Sequence, residues 1–144
     1  VQTLGKNSNM KDIEATSKIV KINNSDQRIF AFWSDLRNVS RILPPHEDVK
    51  VEASENSCII TAKGQTVEVK ILEKEEYKLI KLGTEEDAKI GITAWIQLKS
   101  LSAYETAARI TVHANIPLLL RPILKGKITD GIDKLADAFK MIPY

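Results

Sequence analysis

Apolar side chains along this chain recur with two periods, and the order in which those periods alternate predicts the elements. The stretch from Glu14 to Asn23 is rich in β-branched residues and breaks at Asn24-Ser25, which predicts a strand followed by a helix start capped by Ser25 or Asp26. Ile29, Phe32, Trp33 and Leu36 then form the single apolar stripe of an amphipathic helix. A second short helix is predicted from Val39 to Leu43, stopped by Pro44-Pro45, because a proline pushes the residue before it out of the helical region.

From Val49 to Asn115 the period is that of a strand. Val49, Val51 and Ala53 alternate before a polar turn at 54–57, Cys58, Ile60 and Ala62 before Lys63-Gly64-Gln65, and Val67, Val69 and Ile71 before a charged tip at 73–76. A strand from Tyr77 to Gly83 and a loop from Thr84 to Lys89 follow. The next strand sets Ile90, Ile92, Ala94, Ile96 and Leu98 opposite Gly91, Thr93, Trp95, Gln97 and Lys99, and the last sets Ala108, Ile110, Val112 and Ala114 opposite Arg109, Thr111, His113 and Asn115. An antiparallel sheet with one covered and one wet face has this alternation. After Pro117 the helical period returns through Leu120, Leu124, Ile128, Ile132, Leu135, Phe139 and Ile142, with Pro122 tolerated in the first turn of a helix starting at Leu120 or Arg121.

The predicted order is strand, two short helices, six strands, long helix: an α+β chain whose curved antiparallel seven-stranded sheet wraps around the C-terminal helix. Residues 1–12 read as an extension and 13–144 as a single domain, in keeping with a length of 144 residues. Hydrophobic residues at 43% and charged residues at 28% argue against a disordered or fibrous chain. A net charge of +2 argues against a nucleic-acid partner, and the absence of a long apolar run or a signal-peptide core predicts a cytoplasmic protein with no membrane span. Cys58 stands alone and His46 and His113 are the only histidines, so neither an internal disulfide nor a zinc cluster is expected, and no cofactor is predicted.

Residues 17–25, leading into Phe30-Ala31-Phe32-Trp33-Ser34-Asp35-Leu36, together with Ala114-Asn115-Ile116-Pro117-Leu118-Leu119-Leu120 opening the last helix, resemble the START-like, or SRPBCC, superfamily over about residues 13 to 142. The resemblance implies the helix-grip fold, with a deep, mostly apolar cavity between sheet and helix. Members of the superfamily use that cavity to carry lipids, bind hormones or catalyse reactions of hydrophobic substrates.

An empty void of roughly 300 Å³ would forfeit about 7 kcal/mol, comparable with the net stability of a domain, so a large cavity is either filled or absent. The expected function is binding of a small hydrophobic or amphipathic ligand. Its lining is predicted to be Phe32 and Ile42 from the short helices, Ile92, Ala94, Ile96, Ile110 and Val112 from the sheet, and Leu120, Arg121, Leu124 and Ile128 from the long helix. The stretch from Ile116 to Lys127 reads as the pocket mouth, with Arg121 or Lys125 meeting an acidic head, or else as core leucines beside a solvated cationic face. Gly126 and Gly131 read either as close-packing points or as pocket volume, Trp33 as core, and Trp95 as outward unless its strand is turned.

Two alternatives remain. A cyclase/dehydrase-like enzyme needs polar side chains converging inside the pocket, one of them His46 or an inward-turned His113. A protein-interaction module would have a collapsed pocket and use the outer sheet around Trp95, Arg109 and His113. No glycine-rich phosphate loop, nucleophile elbow or metal-ligand motif occurs, and Asp35, at the end of the first helix, reads as a capping or pairing carboxylate.

Overall fold

Alternation along each strand and antiparallel pairing between neighbours give one sheet in the computed structural model, which describes residues 10–42, 48–62, 64–85, 88, 91–117 and 121–144. The strands are β1 (Met10–Thr16), β2 (Val20–Ile22), β3 (Val49–Ala53), β4 (Ser57–Ala62), β5 (Gln65–Glu75), β6 (Leu79–Gly83), β7 (Gly91–Ser102) and β8 (Glu105–Pro117). Helices α1 (Asp26–Trp33) and α2 (Arg37–Ile42) intervene between β2 and β3, and α3 (Arg121–Met141) follows β8. The order across the sheet is β1-β8-β7-β6-β5-β4-β3, with β2 also paired to β8. This is the α+β helix-grip arrangement, with eight strands rather than seven because the first one is interrupted.

Ser17 makes the interruption. Its backbone N–H donates to the Ile110 carbonyl at 2.8 Å and its Oγ accepts from the Ile110 N–H at 3.0 Å, so a buried side chain takes over part of the ladder while the chain steps out. The step reaches α3: the Lys18 N–H donates to Asp133 Oδ1 at 2.7 Å, and Lys18 Nζ lies 2.9 Å from Asp137 Oδ1. β1 also starts earlier than the hydrophobic pattern indicates, since Met10, Lys11 and Asp12 pair with Pro117, Ile116 and Asn115. Residues 10–12 therefore belong to the sheet.

Register places one inward ladder beside another: Ile80, Ile96 and Ile110 lie abreast on β6, β7 and β8, as do Leu82, Ala94 and Val112. Ile80, Ile96 and Ile110 are buried. The charged tip expected at 73–76 lies further on. A register shift between Ile71 and Glu73 absorbs Leu72 and keeps Glu73 to Glu75 paired, so the turn falls at 76–78, closed by the Lys78 N–H donating to the Glu75 carbonyl at 2.9 Å. Charges on the wet face of a strand do not end it. Tyr77 takes a left-handed φ of 64° in that turn, and its ring packs edge-on against Phe30 at 5.7 Å.

Ser25 caps α1, its Oγ accepting from the Arg28 N–H at 3.2 Å. The helix ends at Trp33, one turn short of its apolar stripe, and Leu36 is buried from the following turn, its N–H donating to the Glu55 carbonyl at 2.9 Å. α2 starts earlier than predicted because Asp35 accepts from the Arg37 N–H at 3.0 Å and pairs with its guanidinium at 2.6 Å. That pairing holds the Asp35 carboxyl at about 2, well below the usual carboxylate range.

α3 packs on β1, β2 and β8 through Ile132, Ala136 and Phe139, all buried. A helix roughly 10 Å across covers about two strands spaced about 4.8 Å apart, so one helix leaves much of an eight-stranded concave face uncovered.

Three glycines yield stability predictions. A Cβ at Gly83 would meet Leu72 Cδ1 at 2.6 Å and the Ile92 carbonyl oxygen at 3.2 Å. Gly83→Ala is expected to cost about 1 to 3 kcal/mol in urea unfolding, and Leu72→Ala in the same chain to recover part of it; an unchanged midpoint for Gly83→Ala contradicts this packing. Gly126 and Gly131 have nothing described within 4 Å of an added Cβ, so among the described residues neither is a close-packing point. Gly126→Ala and Gly131→Ala should each raise stability, by up to about 1 kcal/mol, through helix propensity.

Candidate functional site

Between the concave face and the C-terminal half of α3 lies an open-mouthed cavity of about 800 Å³. Its floor is Leu82 of β6, Ala94 and Ile96 of β7, and Ile110 and Val112 of β8, side chains that alternation and register bring to one face. Leu135, Ala138, Phe139, Met141, Ile142 and Pro143 form the roof, and Trp33 of α1 with Val39 and Arg41 of α2 form the side wall. Leu135 and Met141 are 44% and 79% exposed, so the roof ends in an apolar lip facing solvent.

An aromatic cluster fixes the closed end. The Trp33 ring stacks on Phe139 with centroids 4.2 Å apart and planes 14° apart. Its Nε1–H donates to Tyr144 Oη at 3.2 Å, and Tyr144 Oη donates to the Phe139 carbonyl at 2.8 Å. Phe32 braces both rings edge-on, 5.1 Å from Trp33 and 5.2 Å from Tyr144. Burial pushes the Tyr144 phenol up to about 12, against the opposing effect of the Trp33 hydrogen bond. At the open side, Arg41 Nη1 donates to Asn38 Oδ1 at 2.9 Å.

Of the residues expected to line the site, Ala94, Ile96, Ile110 and Val112 are on the floor. Phe32 is not, because its neighbour Trp33 takes the inward direction and Phe32 borders a shallow groove with Arg28, Ala31, Asn38 and Tyr144. Ile92 and Ile128 are partly buried against Ile13 and Ala114 and are not among the residues lining this cavity. Leu120 lies outside the described residues, as do the side chains of Ile42, Arg121 and Leu124. Lys125 is exposed on α3 and is not among the cavity residues.

The described lining thus sits toward the C-terminal end of α3, where sequence reasoning did not place the mouth. Leu135, Phe139 and Ile142 were visible in the apolar stripe; Val39, Arg41 and Leu82 carried no pattern that separates lining from core. His46 lies outside the described residues, whereas His113 faces outward with Nε2 3.4 Å from Asp12 Oδ2. Trp95 is also on the outer face, with Lys81 Nζ 5.7 Å from its ring centroid, and Arg109 beside it donates from Nε to Gln97 Oε1 at 2.7 Å.

The same architecture occurs in solved structures. A START superfamily protein from Mycobacterium smegmatis superposes with a TM-score of 0.63 at 16% identity, over 92% of this chain and 95% of that one. Norcoclaurine synthase from Thalictrum flavum, in complex with dopamine and hydroxybenzaldehyde, superposes with a TM-score of 0.63 at 15% identity, over 91% of this chain and 84% of that one. The fold is START-like. No protein-family model matches the sequence, and no curated protein matches it. At these identities the likeness establishes the START-like helix-grip architecture alone.

The Tyr144 latch makes a pH prediction. An ordinary tyrosine ionises near 10.0 and this one at about 12, so the protonated form is favoured in the fold. Its contribution is whole below the lower value and is lost as pH rises through the upper one. The stability difference between the wild type and Tyr144→Phe, from urea unfolding, should be constant at neutral pH and shrink across that alkaline window. A flat difference contradicts the latch.

Proposed function

We propose that the protein binds a small apolar or amphipathic molecule in the cavity between β6–β8 and α3. The observation that carries this reading is the combination of volume and wall chemistry. About 800 Å³ lies within the range of roughly 300–1,000 Å³ typical of small-molecule sites, and aliphatic and aromatic side chains dominate the lining. Water held against such walls finds few hydrogen-bond partners, so its displacement by an apolar ligand is favourable. The START-like architecture, one that commonly holds hydrophobic ligands, supports the same reading. The unpaired, buried Cys58 is consistent with a reducing compartment, and on this reading the protein works in the cytoplasm.

Trp33 is a built-in reporter, since it lines the cavity while Trp95 lies on the opposite face of the sheet. In a Trp95→Phe protein, titration with dodecanol or with the apolar dye N-phenylnaphthylamine should shift Trp33 emission and saturate at one equivalent. Ala94→Phe, which fills the floor, should weaken that binding by about tenfold or more without loss of the folded state. Trp33 emission unmoved by either probe, or Ala94→Phe binding as well as its parent, contradicts the proposal.

A further inference from the structure

Among the described residues lining the cavity, Arg41 is the sole charged side chain. It stands in the last turn of α2, exposed at the rim, with apolar walls below it. Three cations elsewhere on the protein are engaged by carboxylates: Arg37 by Asp35 at 2.6 Å, Lys18 by Asp137 at 2.9 Å and Lys21 by Glu105 at 3.2 Å. Arg41 donates to the neutral amide of Asn38; among the described residues no carboxylate lies at ion-pair distance from it, although the Asp35 carboxylate, already held by Arg37, is near enough to feel its charge. A guanidinium carries five N–H donors in a fixed plane, so the bond to Asn38 orients the group and leaves other donors without a partner among the described residues.

We propose that Arg41 receives the head of the bound molecule, and that the head is a single carboxylate on an apolar body. This rests on the reading of the cavity as a ligand site and adds a direction to it: tail over Ala94, Ile96 and Val112, head at the α2 rim. The planar fork matches the two oxygens of a carboxylate, and one cation balances one negative charge. A phosphate monoester, with a charge of about −1.5 to −2, calls for a second cation, which the described lining does not provide.

The test compares lauric acid, dodecanol and dodecyl phosphate, read by Trp33 emission in the Trp95→Phe protein with and without Arg41→Gln. Lauric acid should bind about tenfold tighter than dodecanol, the size expected for a charge-assisted hydrogen bond. Arg41→Gln should remove that advantage, so that acid and alcohol bind the variant equally, and its urea unfolding midpoint, measured alongside, reports that the variant is folded. Equal affinity of acid and alcohol in the parent, or an acid affinity that survives Arg41→Gln, overturns the assignment while leaving the cavity reading in place. Tighter binding of dodecyl phosphate, lost in Arg41→Gln, overturns the carboxylate in favour of a phosphorylated head. If none of the three binds, the reading of the cavity itself fails.

Discussion

One helix is too narrow for the sheet it lies on. Strands repeat at about 4.8 Å while a helix with its side chains is roughly 10 Å wide, so α3 rests mainly on β1, β2 and β8 and leaves much of the face from β5 to β7 without close cover. The remaining concave surface is still paved with inward apolar side chains, because strand alternation does not stop where the helix does. Those side chains must be covered by something else. α1 and α2 supply part of the cover, and the remainder is the cavity.

Where α3 touches the sheet, packing is tight, and the contacts explain why the gap opens at one end. Ile128 and Ile92 each pack against Ile13 and Ala114, and further along Ile132 and Ala136 are buried. Toward its C-terminus the helix rests on α1 instead, through the Trp33–Phe139 stack and the Tyr144 hydrogen bonds. The helix is thereby propped on an aromatic spacer, and the sheet beneath Leu135, Ala138 and Ile142 is left open. Buried rings that hold two elements in place contribute their packing energy to keeping that space from collapsing.

Much of the fold was legible in the alternation of side chains. The period-two runs of β7 and β8 assigned Ala94, Ile96, Ile110 and Val112 to the inner face and Arg109 and His113 to the outer one, and the structure keeps both assignments. Boundaries were less legible because tertiary partners decide them. Ser17 splits a strand by bonding to Ile110, and Asp35 advances α2 by capping it. The cavity lining was half legible for a related reason. Periodicity tells inward from outward, but whether an inward side chain meets another side chain or open space depends on where the helix rests. Ile92 and Ile110 are alike in pattern and differ only in what lies above them. Arg41 could not be singled out, since a cation on a short helix ordinarily points to solvent.

Methyl NMR of the protein titrated with dodecanol tests the central claim most directly, because it reports on the space itself. The account predicts chemical-shift changes and ligand contacts at the methyls of Ala94, Ile96, Ile110, Val112 and Ala138, with those of Thr111 and Leu72 on the outer face unmoved. Perturbation confined to the outer face, or none at the floor residues at saturating alcohol, would mean that the region under α3 is closed to ligands and would contradict the account.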